Sequence, residues 1–447
     1  LEVQLSFEHT RAAGLTLGDA LDYARQHQPT LQAARARVDV ARRAISVAQA
    51  EWLPQLGATA QIFGGTMNNT TAMFVGVRTV DLPRIGATPV NASAGLSAVY
   101  PSTLVALGLR QMVFDFGRIA AQTAVAEWDV RIASEQARNG QLEVQLQVEL
   151  GYFALLAAKE VARAASDAYA RALQRRDMVQ VSVARGLRPP IDLTRAEADV
   201  TRFAVGRTRA MGGIEVAQAL FAGAVGVPEA LLDAAVPAGS EGEVDVVLPA
   251  LGDAMQHALD HSPTMRAALS ALLRQQAQTR AITMGWVPTL QLSASIDGRA
   301  GGAPGSSGPS GASGWIPEVP NWDVGLVLTV PLFDGNIWAR RGQSRAAEQV
   351  LHHELSGARL QLLGAIQRAF TLFQVAQAAQ PALVAAATAA RRNYDQASAR
   401  FRAGLGTSIE LADAEALRTD AELQLAIGRF DVARARAAFN RAIAQGL

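Results

Sequence analysis

Two histidines at helical spacing are the side chains of this sequence that could hold a metal ion. His257 and His261 lie four residues apart, one turn of a helix, and Asp253 precedes them by another turn. Imidazole and carboxylate groups are common zinc ligands. An internal repeat, described below, aligns the pair with Tyr23 and His27, so the pair is not part of the repeated plan. The sequence therefore favours a surface histidine pair and predicts no metal site.

Other residues that could perform catalysis are missing or badly placed. The chain has no cysteine among its 447 residues, which excludes disulfides, cysteine-based zinc sites and thiol chemistry. The glycine-rich stretch 298–314 has no lysine after its glycines and no helix signal behind it, unlike a phosphate-binding loop. His352 and His353 are adjacent, so they face different sides of a helix. These observations predict neither an enzyme nor a cofactor.

Charge and hydropathy exclude two further classes of protein. Basic and acidic residues balance at 41 against 40, so the chain lacks the charge excess of a nucleic-acid-binding protein. The hydrophobic fraction reaches 49%, yet no segment has the pattern of a transmembrane helix. The best uncharged run, 369–390, is rich in alanine and contains three glutamines and a proline, which indicates a packed helix.

Two matching stretches, 185–197 and 402–415, interrupt long helical patterns. Gly186-Leu187 in the first stretch corresponds to Gly404-Leu405 in the second, 218 positions later. A glycine between two helical segments ends one helix and allows the next to begin. The sequence thus predicts two helical hairpins that turn at equivalent tips.

The whole chain is an internal duplication around these hairpins. Three motifs return in the same order: Leu17-Gly-Asp-Ala20 as Leu251-Gly-Asp-Ala254, Trp52-Leu-Pro54 as Trp286-Val-Pro288, and Phe114-Asp115 as Phe333-Asp334. Repetition on this scale predicts two similar halves related by pseudo-symmetry. The stretch 223–249, broken by glycine and proline, is expected to be an irregular equatorial linker between them.

Each repeat is predicted to contain the same elements. The first repeat, residues 1–222, has a helix at 16–51, strands at 55–63 and 103–114, a long helix at 118–185 and a return helix at 191–225. The second repeat, residues 250–447, has a helix at 250–284, strands at 289–297 and 323–333, a long helix at 337–402 and a return helix at 409–445.

The four predicted strands alternate strictly between apolar and polar residues, as strands with one apolar face do. Their length suits a tilted strand that crosses a bilayer, with apolar side chains outward. Five aromatic residues gather at one end of the strands, as in the belt at a membrane interface: Trp52, Trp286, Phe114, Phe333 and Trp338. A soluble sandwich with aromatics at its rim remains an alternative. Four strands cannot enclose a pore, and lipid does not tolerate an open edge, so membrane strands require two, three or four copies of the chain.

The two long helical segments would each measure about 100 Å at the usual rise per residue. Leu142, Leu146 and Leu150 form one apolar stripe in the first segment, and Val144 and Val148 form another. Two stripes suit a helix with a neighbour on each side, as in the wall of a helical barrel, whereas a two-stranded coiled coil needs only one. A structural coiled-coil protein without a channel is the alternative.

In this order and duplicated, these motifs resemble the TolC family of outer-membrane efflux and secretion channels. The resemblance covers nearly the whole chain and rests on the motifs of the opening helices, the Trp-x-Pro and Phe-Asp motifs beside the strands, and the two tips. It implies a mixed α/β membrane protein: a homotrimer whose 12-stranded outer-membrane β-barrel, embedded in lipid, continues into a long α-helical barrel across the periplasm. It also implies a tunnel end that stays closed until an inner-membrane transporter and its periplasmic adaptor recruit it.

The resemblance assigns roles to the tips. Glu410 and Asp413 match the carboxylates that ring the tunnel entrance and select cations, and an ordinary solvated helix start is the alternative. Asp192 matches an aspartate that holds the entrance closed. Its tyrosine and arginine partners fall on Phe401 and Gly406, which cannot replace them.

Three arginines near the tips are candidate substitutes for those partners: Arg185, Arg188 and Arg402. Four further tip residues match the positions at which adaptor hairpins dock in the family: Gly186, Leu187, Gly404 and Leu405.

The exported cargo follows less directly from the sequence. The family serves both ATP-driven (ABC) transporters of type I protein secretion and proton-driven multidrug pumps. Many drug-pump channels begin with a lipidated cysteine, which this chain lacks. The sequence therefore favours type I secretion, with multidrug efflux as the alternative.

Overall fold

The computed structural model describes residues 14–65, 97, 99–227, 232–235, 249–301 and 319–445. Its elements, in chain order, are α1 (Leu17–His27), α2 (Pro29–Gln49), β1 (Gln55–Gly65), β2 (Tyr100–Phe114), α3 (Arg118–Ala184), α4 (Pro190–Val225), α5 (Leu251–His261), α6 (Pro263–Thr283), β3 (Thr289–Gly301), β4 (Val319–Thr329), α7 (Gly335–Arg402) and α8 (Ser408–Ala442). Short 3₁₀ turns at Ala50–Trp52 and Met284–Trp286 lead into β1 and β3.

The first helix of each predicted repeat is broken in two, which corrects the predicted helices 16–51 and 250–284. Gln28 and Ser262 leave the helical conformation, with ψ angles of 118° and 121°. Each precedes a proline, which disfavours the helical conformation in the residue before it. Pro29 and Pro263 then begin the next helix, where a missing N–H costs nothing.

Other element bounds differ from the prediction by a few residues. β4 covers Val319–Thr329 instead of 323–333, and Pro331, which cannot donate to a strand ladder, lies just beyond its end. β1 and β3 continue to Gly65 and Gly301, past the predicted 63 and 297. The final helix ends at Ala442 instead of 445.

The described residues form two compact units, 1–38 with 132–269 and 353–447, and 39–131 with 270–352. The second unit contains one antiparallel sheet with the strand order β1-β2-β3-β4. In its register Leu107 pairs with Ile296, and Ile296 pairs with Trp322. These three side chains are 52%, 60% and 79% exposed, so one face of the sheet presents a continuous apolar row.

The opposite face of the sheet carries polar groups. Ser295 pairs with Asp323 in the register and donates a hydrogen bond from its hydroxyl to that carboxylate. The five predicted belt aromatics all lie at or just beyond the end of the sheet where β1 and β3 begin and β2 and β4 finish. The alternation read from the sequence therefore becomes two chemically different faces.

The first unit is packed helix against helix. Phe221 and Val225 of α4 are fully buried against Tyr152 and Leu155 of α3. A second cluster joins α5, α7 and α8 around Phe373 and Phe439. No described helix is both long enough and apolar enough to cross a membrane.

Residues 232–235, a described part of the predicted linker 223–249, are bound to α3. Lys159, the only lysine of the chain, lies 2.5 Å from a carboxylate oxygen of Asp233 and donates to the carbonyl oxygen of Ala234. Tyr152 donates from its hydroxyl to the carbonyl oxygen of Ala235, and Leu15 forms a parallel bridge with Ala234. Residues 223–225 of the predicted linker complete α4 instead, and residues 228–231 and 236–248 lie outside the described residues.

Candidate functional site: the two helical tips

Both predicted tips are helix ends closed by a left-handed glycine. Tip 1 is residues 185–189, between α3 and α4, and tip 2 is residues 403–407, between α7 and α8. Gly186 and Gly404 have φ angles of 71° and 74°. Leu187 and Leu405 donate from their backbone nitrogens to the carbonyl oxygens of residues 182 and 400, both at 2.9 Å. This is the hydrogen-bond pattern of a Schellman cap, and it explains why glycine occupies each turn.

The helix that follows tip 2 begins with a capping box. Thr407 accepts a hydrogen bond from the backbone of Glu410 at 3.1 Å, and the Glu410 carboxylate accepts one from the backbone of Thr407 at 3.3 Å. Such reciprocal bonds satisfy two amide groups at a helix start. The Glu410 carboxylate thus has a structural partner and is still exposed.

The helix that follows tip 1 cannot form this capping box. Its N-cap is Pro189, which has neither an N–H to donate nor a side-chain acceptor. Asp192 occupies the same position in α4 as Glu410 in α8, 218 residues earlier. Its carboxylate is therefore free to bind elsewhere.

The Asp192 carboxylate contacts the start of the helix that follows tip 2. It accepts a hydrogen bond of 2.6 Å from the hydroxyl of Ser408, at the start of α8. Its second oxygen lies 3.7 Å from the guanidinium of Arg188. The Asp192 side chain is buried, so these two groups provide the compensation that a buried carboxylate needs.

Arg188 connects the two tips as well. Its guanidinium lies 3.8 Å from the ring centroid of Phe401, a cation–π contact. It also donates to the carbonyl oxygens of Phe401 at 3.4 Å and Gly406 at 3.3 Å. A Cβ atom on residue 406 would lie 3.1 Å from the backbone nitrogen of Phe401, so glycine lets tip 2 fold back closely beside these acceptors.

Below these polar contacts an apolar cluster packs the tips together. Val179, Ala196, Phe401 and Leu411 are buried against one another, one from each of α3, α4, α7 and α8. The tips are therefore held by a shared core as well as by Asp192 and Arg188.

Only one of the three candidate arginines contacts Asp192 in the structure. Arg188 contacts Asp192, whereas the side chains of Arg185 and Arg402 are exposed and have no hydrogen bond or ion pair within the described part of the chain. Ser408 was missed by sequence analysis, because its equivalent in tip 1 is Pro190 and no local motif marks it.

The remaining site residues lie at the surface of the protomer. Leu187 and Leu405 are exposed, and a Cβ atom on Gly186 or Gly404 would meet nothing within 4 Å. Asp413 is exposed one turn beyond Glu410 on α8. His257 donates from Nδ1 to the carbonyl oxygen of Ile443 at 3.1 Å and stacks on His261. No cluster of three metal-binding side chains occurs within the described ranges.

Comparison with known proteins identifies the kind of molecule to which these tips belong. The family model described as outer membrane efflux protein matches residues 20–203 and 254–445. No curated protein sequence matches the chain.

Several solved structures share the fold over nearly the entire chain. The CmeC outer membrane channel of Campylobacter jejuni is 15% identical, with a TM-score of 0.76, over 96% of this chain and 85% of that one. The outer membrane protein VceC of Vibrio cholerae is 19% identical, with a TM-score of 0.71, over 96% of both chains. The outer membrane channel MtrE of Neisseria gonorrhoeae, solved in its open state, is 21% identical, with a TM-score of 0.71, over 97% of this chain and 90% of that one.

These likenesses establish a mostly helical fold with few strands, as in the TolC-like channels. The family model covers far more than half of the sequence and spans both tips. The expected resemblance to TolC-family channels, and the expected location in the outer membrane, are thereby confirmed. This chain belongs to the outer membrane efflux protein family.

Proposed function

We propose that this chain is the outer-membrane conduit of a tripartite export system and acts as a homotrimer. Channels of this family form trimers and work with periplasmic adaptors and inner-membrane transporters. The observation that carries the proposal is the sheet: it has four strands, β1 and β4 at its open edges, and an exposed apolar face. Unpaired strand edges are not tolerated in lipid, so three copies would close a barrel of twelve strands.

The aromatic residues at one end of the sheet support the proposal that the sheet crosses a bilayer. Phe333 and Trp338 are exposed in the protomer, as side chains at a lipid–water interface are. The two long helices, 67 and 68 residues, would then form the tunnel wall. The motifs that return along the sequence support an origin of the two halves by duplication.

The tips are proposed to be the gate of this tunnel. Asp192 and Arg188 tie tip 1 to tip 2 within one chain, so opening requires those contacts to break. Glu410 and Asp413 are exposed in the protomer, and three copies would place six carboxylates around one axis. Such a ring attracts cations. The exposed pairs Gly186-Leu187 and Gly404-Leu405 are proposed to receive the adaptor.

We favour small molecules as the exported cargo, because the family description names efflux. Type I protein secretion, the cargo favoured by the sequence, remains the second candidate. In either case the chain works as a channel and not as an enzyme. Its membership of a family of channel-forming proteins supports that.

Reconstitution tests the conduit directly. Cross-linking of the purified protein in detergent is expected to give the trimer as the largest product. The purified protein, without cross-linking, is expected to give discrete single-channel currents in a planar bilayer. A monomeric protein, or a trimer with no conductance under any applied voltage, would contradict the proposal.

Complementation separates the two cargoes. The chain would be expressed in a bacterium that lacks its own outer-membrane export channel but keeps the matching adaptor and inner-membrane transporter. Restored resistance to a panel of small toxic compounds, without release of a type I substrate into the medium, is the result expected for efflux. The reverse pattern would assign the chain to protein secretion.

A further inference from the structure

A cluster of five charged side chains joins α3 to the α7–α8 hairpin, away from the tips. We call it the ionic cluster: Arg171 of α3, Arg391 of α7, and Glu415, Arg418 and Glu422 of α8. Arg171 binds Glu415 at 2.8 Å and Glu422 at 3.3 Å. Arg391 and Arg418 bind Glu422 at 2.9 Å and 3.1 Å.

The cluster lies inside the helical packing. The side chain of Glu415 is 3% exposed and that of Arg171 is 14% exposed. Charges withdrawn from water to this degree are tolerated only when they are paired, and removal of one partner is strongly destabilising. Tyr394 of α7 completes the packing, with Arg418 4.9 Å from the ring centroid.

Electrostatics in the cluster agree with this geometry. Burial alone would raise the pKa of Glu422, but hydrogen bonds from Arg391 and Arg418 and the neighbouring positive charges outweigh it and lower the pKa. Burial and the charge of Glu415 raise the pKa of Tyr394. The Glu422 carboxylate is therefore ionised and the Tyr394 phenol is neutral at physiological pH.

The ionic cluster is not repeated in the first half of the chain. At the same offset as the tips, Glu415 corresponds to Glu197, but Arg418 and Glu422 correspond to Val200 and Ala204. Glu197 is exposed, and its carboxylate has no partner within the described ranges. Within the described ranges the cluster therefore occurs on one hairpin only, and it includes Arg171 from the other hairpin.

Only some ion pairs of the cluster would break if α3 and the α7–α8 hairpin moved apart. Arg391 and Arg418 would stay with Glu422, because all three belong to the hairpin. Arg171 would leave, and Glu415 would keep only Tyr394 and a 3.5 Å hydrogen bond from Thr419. The cost of separation therefore falls on the pair Arg171–Glu415.

We propose that this ionic cluster is a latch that holds the α7–α8 hairpin against α3 and so sets how readily the tips separate. The inference rests on the proposed channel function. It assigns a positioning role to Arg171 and Glu415, which act through the helices on the contacts of Asp192 and Arg188.

The test compares Glu415→Gln, which keeps the shape and removes the charge, with the matched control Glu197→Gln. Single-channel recordings are expected to show an open fraction raised about tenfold or more in Glu415→Gln, because the buried Arg171 loses the nearer of its two carboxylate partners. Glu197→Gln is expected to behave as wild type. Equal open fractions in all three proteins would overturn the latch.

A distance measurement makes the test independent of conduction. Since the chain has no cysteine, Leu187→Cys and Leu405→Cys can carry one spin label on each tip. Glu415→Gln is expected to lengthen or broaden the distance distribution between the labels, and Glu197→Gln to leave it unchanged. Unchanged distances in Glu415→Gln would refute the latch even if the channel conducts, whereas shifted distances in a protein that never conducts would refute the channel alone.

A double-mutant cycle distinguishes a direct interaction between Arg171 and Glu415 from a general loss of stability in either variant. Arg171→Gln combined with Glu415→Gln removes both charges and leaves no unpaired ion. Its effect on the open fraction is expected to be smaller than the product of the two single effects, because contacting residues couple. Strict multiplication of the single effects would contradict a direct latch.

Discussion

At the residue scale, two equivalent carboxylates act differently because their neighbours differ. Glu410 and Asp192 are both third residues of a helix, but Thr407 gives Glu410 a capping partner and Pro189 gives Asp192 none. The unused carboxylate of Asp192 reaches Ser408 of the other tip. Pro189 at the N-cap of α4 therefore leaves the Asp192 carboxylate without a local cap and available for a long-range contact.

Arg188 should not tolerate replacement by lysine. Lysine keeps the charge but loses the planar fork that stacks on Phe401 and donates to two carbonyl oxygens. We expect Arg188→Lys to raise the open fraction in planar bilayers severalfold. Arg185→Lys, an exposed position on the same tip, serves as the control, and a similar rise in both variants would remove the special role of Arg188.

Glu422 should make stability depend on pH in acid. Its pKa is lowered from an ordinary value of 4.5, so its ionic contribution is present above that value and is lost as the pH falls through the lowered pKa. Thermal unfolding of Glu422→Gln and wild type should differ most near neutral pH and converge at strongly acid pH. Asp420→Asn, an exposed neighbour, is the control, and a difference that grows on acidification would contradict the assignment.

The sequence could name the important tip residues but not all their partners. The family motif led to Asp192 and to the loss of its usual partners at Phe401 and Gly406. Three arginines lie at or beside the two tips in the sequence, and only their positions in space distinguish Arg188. Ser408 carries no motif at all, because its importance comes entirely from the approach of the other tip.

At the element scale, the strands follow the alternation of apolar and polar side chains, and the helix breaks follow proline. Alternation located the four strands within a few residues, because it reports the faces of a sheet directly. The breaks at Gln28 and Ser262 were missed, although the prolines that follow them are visible in the sequence. The predicted helices 16–51 and 250–284 each ran through a proline, whereas in the structure that proline separates two helices.

Close packing of α8 on α7 depends on Gly428. A Cβ atom on residue 428 would lie 2.2 Å from the end of the Leu383 side chain, just beyond Pro381 within α7. Gly428→Ala should therefore destabilise the protein by about 1 kcal/mol relative to Gly364→Ala, because the Leu383 side chain must move aside. Chemical denaturation in detergent measures the loss.

Two further variants test the cause of that loss. Leu383→Ala in the Gly428→Ala background should recover part of the stability by removing the clash. Gly364→Ala, at a position in α7 where a Cβ atom meets nothing within 4 Å, should be neutral or stabilising. If both alanine substitutions were equally harmless, close approach at Gly428 would not matter.

At the scale of the whole molecule, the proposed carboxylate ring exists only in an assembly. One protomer supplies two exposed carboxylates to that ring, Glu410 and Asp413. Neutralising both with Glu410→Gln and Asp413→Asn should shift the reversal potential in a salt gradient towards that of a non-selective pore. Glu197→Gln should leave it unchanged, and a cation preference retained by the double variant would refute the ring.

The architecture was more predictable than the cargo for a physical reason. Repeated motifs, alternating strands and proline-poor helical segments each constrain the backbone, and together they led to the family. Cargo contacts leave no such pattern, because a conduit must release what it carries. The choice between efflux and protein secretion therefore depends on partners that the chain itself does not encode.

The sole lysine offers an unusual experimental handle. Lys159 is bound to Asp233 and to the carbonyl oxygen of Ala234, so its amine reports whether residues 232–235 are seated on α3. Acylating reagents would modify a single side chain in the entire sequence, and mass spectrometry could follow that one adduct over time. Slow acylation in the resting protein and faster acylation with adaptor and transporter present would reveal whether movement at the tips extends to the middle of the chain.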